Sequence, residues 1–420
     1  MRYKLFGNSG LRVSELCLGT MTFGEDWGWG GSVEECRKMV DVFGAAGGNF
    51  LDTANMYTNG TSEKIVGDLI RSDRDRWVVA TKYSLNMGQH VNASGNHRKN
   101  MIQSIEASLR RLKTDRIDLY WLHVWDFTTP VEEIMRGFDD LVRAGKILYA
   151  GVSDTPAWRI SQAQTLATLR GWTPFVGLQI EYSLVERTPE RDLLPMAQAM
   201  GLGVTPWSPL GQGVLSGKYN QPGAAEGARL RMEGAMPYLT DRNLKIAQQV
   251  GEVAKEVDRS PSQVALRWLL QRPLPCIPII GGRKRSQIED NLRCVDFTLN
   301  EGHLKRLDEI SRIELGFPHD FLLGPTVREF AFAGWLGKID NPNDPAPKPA
   351  AVPVIPATRQ RASPSPASGR SGSPSRPRLS VGKRPRLKLK RGSLTLLPAL
   401  DLQLCHGTGE RSVDGSDFFV

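Results

Sequence analysis

The chain has 420 residues, of which 40% are hydrophobic and 24% charged, so it can bury the core of one barrel-sized domain or of two smaller ones. Its formal charge of +9 lies at one end: residues 346–420 contain thirteen Lys and Arg against four Asp and Glu, which leaves 41 of each sign in residues 1–345. Because the larger part is formally neutral, the composition argues against a nucleic-acid-binding globular domain.

The first residues and the cysteines indicate where the protein works. Residues 1–7 lack the apolar run and cleavage site of a secretory leader, and no uninterrupted apolar stretch is long enough to span a bilayer. The five cysteines are scattered, without the spacing of a metal knuckle or a CxxC pair, so we interpret them as reduced thiols. We expect a cytoplasmic protein without membrane insertion.

Short β-branched runs alternate with longer amphipathic segments up to about residue 310, the pattern of repeated βα units around a parallel sheet. A β-hairpin is predicted at the N terminus. Eight strands are predicted to follow it, at residues 15–18, 49–52, 77–82, 117–122, 147–152, 175–179, 202–206 and 276–280.

Helical periodicity fills the intervals, for example at residues 32–46, 98–112 and 131–142, and Ser32 followed by Glu35 predicts a capping box. A long Gly-rich connection is expected at residues 207–240 and an added helical pair at residues 285–312. Eight strands with eight helical regions favour a (β/α)8 TIM barrel in the α/β class. An open doubly wound sheet fits the same count, because periodicity does not show closure.

Beyond residue 342 the composition changes to Pro, Ser, Ala and Arg, with a dense basic run at residues 383–391. Such a segment buries too little apolar surface to offset its ordering entropy. We therefore predict a barrel domain at residues 1–342 and a disordered basic tail at residues 343–420, either an unstructured appendage or a frame-shifted extension. The alternative is a tether for an anionic surface or a nucleic acid.

Reactive groups of a (β/α)8 barrel gather at the C-terminal ends of its strands. Asp52 ends the second predicted strand with Tyr57 five residues on, Lys82 ends the third, and His123 follows the fourth. A neighbouring ammonium is expected to bring the pKa of a phenol down toward neutrality, a carboxylate would hold the ammonium, and an imidazole could orient a substrate carbonyl.

Together these four side chains form a proton donor for carbonyl reduction. No metal-ligand cluster or flavin motif supplies the electrons, so a nicotinamide cofactor is the simplest carrier. Any one of these residues alone would be a common structural feature of a strand end; their joint order carries the prediction.

The tetrad residues lie in segments that resemble the Asp/Tyr/Lys/His motifs of the aldo-keto reductases, at residues 51–57, 80–82 and 122–123. Further segments resemble successive family motifs in the family's order, at residues 18–24, 151–154, 178–183 and 206–210. The resemblance covers roughly residues 1–340. It is nearest to the longer-loop bacterial reductases and the aryl-alcohol-dehydrogenase-like and potassium-channel β-subunit-like members.

The resemblance implies a role for each matching position. Tyr57 would donate the proton, with Lys82 and Asp52 as its activators and His123 as the group that orients the substrate. Ser153 and Gln179 would hold the nicotinamide carboxamide, together with Asp154 where most members carry Asn, and Trp207 would stack on the ring. Further cofactor contacts are expected at Gly19, Thr20, Met21, Asp52, Ser208, Pro209, Leu210, Gly213 and Lys218.

Residues 280–291 resemble the family's loop for the adenosine 2′-phosphate and adenine. Gly281 and Gly282 permit close backbone approach, a helix start would offer free N–H groups, and the basic run that begins with Arg283 and Lys284 offers charge-assisted bonds to a phosphate. This favours NADP(H) over NAD(H). The alternative is a solvated basic face. Gln287 and Asn291, one helical turn apart, are expected to face the adenine.

Aromatic residues near the predicted site suggest an apolar or aryl carbonyl as the small-molecule substrate. Trp27 and Trp29 lie in the first loop and Trp125 follows His123; they could equally pack this loop against the barrel. The prediction is an NADP(H)-dependent reductase of aldehydes and ketones. The alternatives are a nucleotide-sensing regulatory subunit, since the family includes channel β subunits, and a nucleic-acid-binding protein that acts through its tail.

Overall fold

The computed structural model of the chain describes residues 1–221, 224 and 238–339. An antiparallel hairpin precedes an eight-stranded parallel sheet. The hairpin strands are β1 (Tyr3–Leu5) and β2 (Arg12–Ser14); the sheet consists of β3 (Cys17–Gly19), β4 (Phe50–Asp52), β5 (Val78–Tyr83), β6 (Ile117–Leu122), β7 (Ile147–Ser153), β8 (Phe175–Glu181), β9 (Gly203–Trp207) and β10 (Ile279–Ile280).

The sheet closes on itself. Strands β3 to β9 neighbour one another in chain order, and β10 lies beside β3, with no reversal of strand order. A parallel bridge joins Val204 to Cys276, and the Ile277 N–H donates to the Val204 carbonyl at 2.8 Å, which links β9 to the segment leading into β10. The predicted (β/α)8 barrel is confirmed. The open doubly wound alternative, which needs a reversal of strand order, is wrong.

Helices surround the barrel and end in an added C-terminal group. The α-helices within the described residues are α1 (Val33–Ala45), α2 (Thr61–Ile70), α3 (Arg98–Leu112), α4 (Val131–Arg143), α5 (Ala157–Arg170), α6 (Leu193–Met200), α7 (Asp241–Glu256), α8 (Pro261–Leu270), α9 (Arg285–Leu292), α10 (Glu301–Ser311), α11 (His319–Leu323) and α12 (Pro325–Phe332). The predicted pair at 285–312 corresponds to α9 and α10. The short helices α11 and α12 were not predicted.

The start of α1 forms only half of the predicted capping box. Ser32 accepts a hydrogen bond from the Glu35 N–H, as expected of an N-cap serine. The Glu35 carboxylate does not return to Ser32 but binds Lys38 and the backbone N–H of Arg285. A tertiary contact with the start of α9 has therefore replaced the local one.

The N-terminal hairpin fills the bottom of the barrel with Phe6. This side chain is completely buried, and its ring centroid lies 5.6 Å from that of Phe50 and 6.2 Å from that of Trp121, both edge-on. Gly177 makes room for it, because a Cβ there would lie 2.4 Å from the ring. With the bottom filled, the C-terminal ends of the strands remain as the open end.

Residues 1–336 form one compact unit, and residues 337–420 are grouped as a second. The predicted disorder of residues 343–420 and the basic run at 383–391 lie outside the described residues, as does most of the Gly-rich connection after residue 221. The described cysteines, Cys17, Cys36, Cys276 and Cys294, are buried and free. No helix in the described part is long and apolar enough to cross a membrane.

The filled barrel bottom leads to a stability prediction. Phe6→Ala should lower the free energy of unfolding by about 3–5 kcal/mol, because it empties a completely enclosed site. Leu5→Ala, one residue away but 63% exposed, should change it by less than about 0.5 kcal/mol. Urea unfolding followed by circular dichroism compares the two, and equal losses would contradict the role of Phe6.

Candidate active site

The C-terminal ends of the barrel strands carry most of the predicted site. Because the strands are parallel and closed into a barrel, side chains at these ends converge on one opening. Asp52 ends β4, Lys82 lies near the end of β5, His123 follows β6, Ser153 ends β7, Gln179 lies near the end of β8 and Trp207 ends β9.

Lys82 is the centre of this cluster and is completely buried. Its ammonium donates to the Asp52 carboxylate at 2.5 Å, to the Thr53 carbonyl at 2.8 Å and to the Tyr57 hydroxyl at 3.0 Å. An ammonium only donates, so the phenolic oxygen accepts here and its own proton is left to point elsewhere. The geometry therefore presents Tyr57 as a hydrogen-bond donor. The Thr53 carbonyl is a partner that the sequence did not predict.

A strained turn holds Tyr57 in place. The next two residues, Thr58 and Asn59, have φ of 45° and 55°, in the left-handed region that costs a non-glycine residue about 1–2 kcal/mol. The Thr58 hydroxyl donates to the Phe23 carbonyl at 2.7 Å and accepts from the Ser62 N–H at 3.0 Å. Both bonds fix the turn, which was not visible in the sequence.

The acid–base properties of the pair differ from the sequence prediction. Burial raises the pKa of Tyr57, and the positive charge of Lys82 only partly opposes this, so the expected fall in the pKa of Tyr57 is wrong in this structure. For Lys82, burial is the largest single influence and favours the neutral amine, but the charges and hydrogen bonds of Asp52 and Tyr57 together outweigh it, so the pKa of Lys82 is raised. At neutral pH the phenol is protonated and the amine is charged, which suits a proton donor held by a cation.

His123 lies beside Tyr57, with ring centroids 6.0 Å apart in an edge-on arrangement. Burial is the main cause that holds the pKa of His123 well below its usual range, and the positive charge of Lys82 adds to it. The ring is therefore neutral at neutral pH. Its Nδ1 is buried without a hydrogen-bond partner among the described residues. A neutral imidazole carries one N–H and can donate to a carbonyl oxygen without adding charge.

Gln179 is tied directly to the tetrad. Its amide donates to the second Asp52 oxygen at 2.9 Å, so Asp52 bridges Lys82 and Gln179. The sequence assigned Gln179 to the cofactor and did not predict this bond, which joins residues 127 positions apart. Gln179 thereby fixes the orientation of the carboxylate that holds the lysine.

Ser153, Asp154 and Trp207 form the neighbouring part of the opening. Ser153 is buried, and its hydroxyl has no partner of acceptable geometry within the described residues. The Trp207 indole N–H donates to the Asp154 carboxylate at 3.1 Å. Asp154 is exposed at the surface, yet protein atoms crowd its carboxyl, and this desolvation raises the pKa of Asp154 to about 6.

The three residues predicted to contact the cofactor at the end of β3 have different surroundings. Thr20 is buried, and its hydroxyl forms hydrogen bonds with the Asp52 carbonyl and the Ser62 hydroxyl. These bonds stabilise the ends of β3 and β4. Met21 is 44% exposed. Gly19 packs tightly, since a Cβ there would lie 2.6 Å from the Ile279 side chain.

The connection after β9 turns sharply over residues 208–218. Ser208 and Gly213 have φ of 49° and 87°, in the left-handed region. Pro209 is buried, and Leu210 packs against the hydrophobic core between the strands and the helices. Lys218 is exposed and folds back over Gly213, where a Cβ would meet its ammonium at 2.9 Å. The turn thus brings a cation next to a glycine backbone, an arrangement that suits a phosphate group.

The predicted free N–H groups at the start of α9 are not free. The Gln287 side chain accepts from the N–H groups of Arg283 and Lys284 at 2.7 and 3.2 Å, and Glu35 accepts from that of Arg285 at 3.2 Å. Helix starts need acceptors, and here side chains of the chain provide them. Gln287 is exposed and caps this helix start, whereas Asn291 is buried. Their contact with the adenine stays a prediction.

The basic side chains of this segment differ in their partners. Arg285 donates to Glu289 at 2.7 Å, whereas Arg283 and Lys284 have no ion pair with any residue that the structure describes and are exposed. Two cations without an ion pair among the described residues therefore follow Gly281 and Gly282 directly. Such cations fit a phosphate dianion.

The aromatic residues predicted for the substrate occupy different surroundings. Trp27 and Trp29 lie together, with ring centroids 5.6 Å apart, and Trp29 is 43% exposed. Trp125 is buried in the hydrophobic core between the strands and the surrounding helices, and the Arg159 guanidinium lies 5.2 Å from the centre of its ring. Trp125 therefore packs within the protein, as the alternative interpretation expected. Trp27 and Trp29 lie at the surface, where a substrate could contact them.

These residues fit a nicotinamide adenine dinucleotide phosphate. The buried Ser153 hydroxyl, which lies near the Asp154 carboxyl, could hold a carboxamide; Trp207 offers a ring face beside it, and Arg283 and Lys284 could hold a phosphate. Across the described ranges, no three His, Cys, Asp or Glu side chains gather as a metal site.

The neutral, buried state of His123 predicts a pH dependence of stability. As the pH falls below about 6.5, the unfolded chain protonates this histidine while the folded chain resists, so stability declines toward pH 5 by up to about 2 kcal/mol. His123→Asn should lose less stability between pH 7 and pH 5 than the wild type. The exposed His90→Asn variant serves as control and should follow the wild type; parallel urea curves for all three would contradict the assignment.

Comparison with known proteins gives consistent matches. The model of the aldo/keto reductase family matches residues 15–312. A norsolorinic acid reductase of Aspergillus flavus is 37% identical over 339 residues, 78% of this chain and 85% of that protein. An NADP(+) aryl-alcohol dehydrogenase of Phanerodontia chrysosporium is 38% identical over 331 residues, 74% of this chain and 86% of that protein. A putative aryl-alcohol dehydrogenase of Saccharomyces cerevisiae is 36% identical over 328 residues, 75% of this chain and 87% of that protein.

The matches cover the barrel and every element that carries the tetrad. They agree with a closed eight-stranded barrel in which a buried lysine holds a tyrosine at the open end. The chain belongs to the aldo/keto reductase family of oxidoreductases.

Proposed function

We propose that the protein is an NADP(H)-dependent oxidoreductase that reduces aryl aldehydes or ketones to alcohols, with Tyr57 as the proton donor. The observation that carries the proposal is the hydrogen bond from the buried Lys82 ammonium to the Tyr57 oxygen at 3.0 Å. This bond leaves the phenolic proton free to be donated and places a cation where a phenolate would form. The reverse reaction, alcohol oxidation, uses the same groups.

The side chains divide the work between positioning and proton transfer. A bound NADPH supplies the hydride. Tyr57 gives its proton to the carbonyl oxygen, and Lys82 stabilises the negative charge that remains on the phenolic oxygen. Neutral His123 donates a hydrogen bond to the same carbonyl and orients it, while Asp52 keeps the ammonium in place from the side away from substrate.

The preference for NADP(H) is supported by the two unpaired cations Arg283 and Lys284 and by the name of the Phanerodontia relative. Aryl substrates are supported by the first-loop pair of Trp27 and Trp29 and by relatives named for an aryl alcohol and for norsolorinic acid. The proposal includes a small-molecule substrate, action in the cytoplasm, and no part for nucleic acid or membrane insertion.

The first test replaces the proton donor. Tyr57→Phe should bind NADPH with near wild-type affinity, followed by fluorescence titration, but should oxidise it about 10² to 10⁴ times more slowly with a panel of aryl and short-chain aldehydes. Tyr3→Phe is the matched control, since Tyr3 lies in the bottom hairpin and should retain full turnover. Tight binding without turnover in the wild type would favour a nucleotide-sensing subunit, and absence of binding would remove the cofactor from the proposal.

The second test concerns the 2′-phosphate. Arg283→Ala and Lys284→Ala should each weaken NADPH binding about tenfold or more relative to NADH, because a charge-assisted hydrogen bond contributes about 1.5–3 kcal/mol. Arg285→Ala removes the adjacent cation, which is paired with Glu289, and should leave the ratio of NADPH affinity to NADH affinity nearly unchanged. If all three variants lower the ratio equally, a general basic field and not a specific contact is responsible.

A further inference from the structure

Asp154 is held in one conformation by three elements. It follows β7 directly, with φ of 38°, in the left-handed region that Asp tolerates better than most side chains. Its N–H donates to the Gln179 carbonyl at 3.3 Å, and its carbonyl accepts from the Trp125 N–H at 3.2 Å. The carboxylate then accepts from the Trp207 indole at 3.1 Å. Backbone and side chain are therefore both fixed.

The charges around the opening do not cancel. Lys82 and Asp52 form a buried ion pair, Tyr57 is protonated and His123 is neutral at neutral pH. Asp154 makes no ion pair with any residue in the described ranges. Its pKa of about 6 leaves it ionised above neutral pH, and its charge is felt at Tyr57, where it adds to the rise in the pKa of the phenol. The open end thus carries surplus negative charge at Asp154.

The position of this charge coincides with the side chains assigned to the nicotinamide. Asp154 is adjacent to Ser153, its backbone binds Gln179, and its side chain binds Trp207. A nicotinamide ring is positively charged when oxidised and neutral when reduced. A fixed carboxylate at its edge therefore interacts differently with the two forms, whereas a neutral amide would distinguish them less.

We propose that Asp154 is a positioning and selectivity residue: its carboxylate fixes the Trp207 indole and, by its uncompensated charge, makes the site bind NADP⁺ more tightly relative to NADPH than a neutral residue would. This rests on the proposed function, because it takes the nicotinamide to lie among Ser153, Gln179 and Trp207. It concerns binding, so it is tested without turnover.

The test is the ratio of dissociation constants for NADP⁺ and NADPH, measured by calorimetry at pH 7.5. Asp154→Asn keeps an oxygen acceptor for the Trp207 N–H but removes the charge, and it should shift the ratio about tenfold toward NADPH. Trp207→Phe keeps a ring and the charge but loses the indole donor, so both forms should weaken together while the ratio stays within about twofold of the wild type. Asp41→Asn, an exposed carboxylate on α1, controls for total charge and should leave both constants unchanged.

The outcomes separate this inference from the proposed function. If the wild type binds neither form, the proposed function fails. If both forms bind and Asp154→Asn leaves their ratio within twofold of the wild type, the proposed function stands and the selectivity of Asp154 is overturned. Equal ratio shifts in Asp154→Asn and Asp41→Asn would also overturn it, since the effect would then come from overall charge.

Discussion

The buried ion pair between Lys82 and Asp52 is the interaction on which the site depends. Removing each ion from water costs several kcal/mol, which only a complete set of partners offsets. The set is complete here: the ammonium has Asp52, the Thr53 carbonyl and Tyr57, and the carboxylate also accepts from Gln179. Lys82 lies on β5, and its partners and those of Asp52 come from β4, β8 and the turn after β4, so the pair holds four parts of the barrel in register at the point where chemistry is proposed.

The barrel makes this arrangement possible by having one open end. Phe6 and its aromatic neighbours fill the bottom, and the parallel strands direct their C-terminal side chains to the top. The rigid strands carry the groups that need fixed distances. The loops carry strained residues such as Thr58, Asp154 and Ser208. Their left-handed backbone gives their side chains directions that the backbone of a regular strand does not allow.

Much of the predicted cofactor surface already bonds within the protein. Gln287 caps the start of α9, Glu35 accepts from Arg285, and Gln179 donates to Asp52. A cofactor that used these groups would exchange one set of hydrogen bonds for another, so they would contribute little net affinity. Arg283 and Lys284 have no ion pair among the described residues, so under the proposed function they are the side chains from which we expect selectivity for NADP(H).

The amino-acid pattern alone predicted the strands along the chain, the residues of the tetrad and the helices that begin near residues 32, 98 and 131, because alternation, periodicity and capping act over a few residues. The tertiary structure decided that the sheet closes, that Gln179 binds Asp52 across 127 positions, and that Glu35 reaches α9 instead of completing its own capping box. It also reversed the expected direction for the pKa of Tyr57, since burial is set by the whole barrel and outweighs one neighbouring charge. Distances between remote residues and the exclusion of water are properties of the packed fold, and no local pattern contains them.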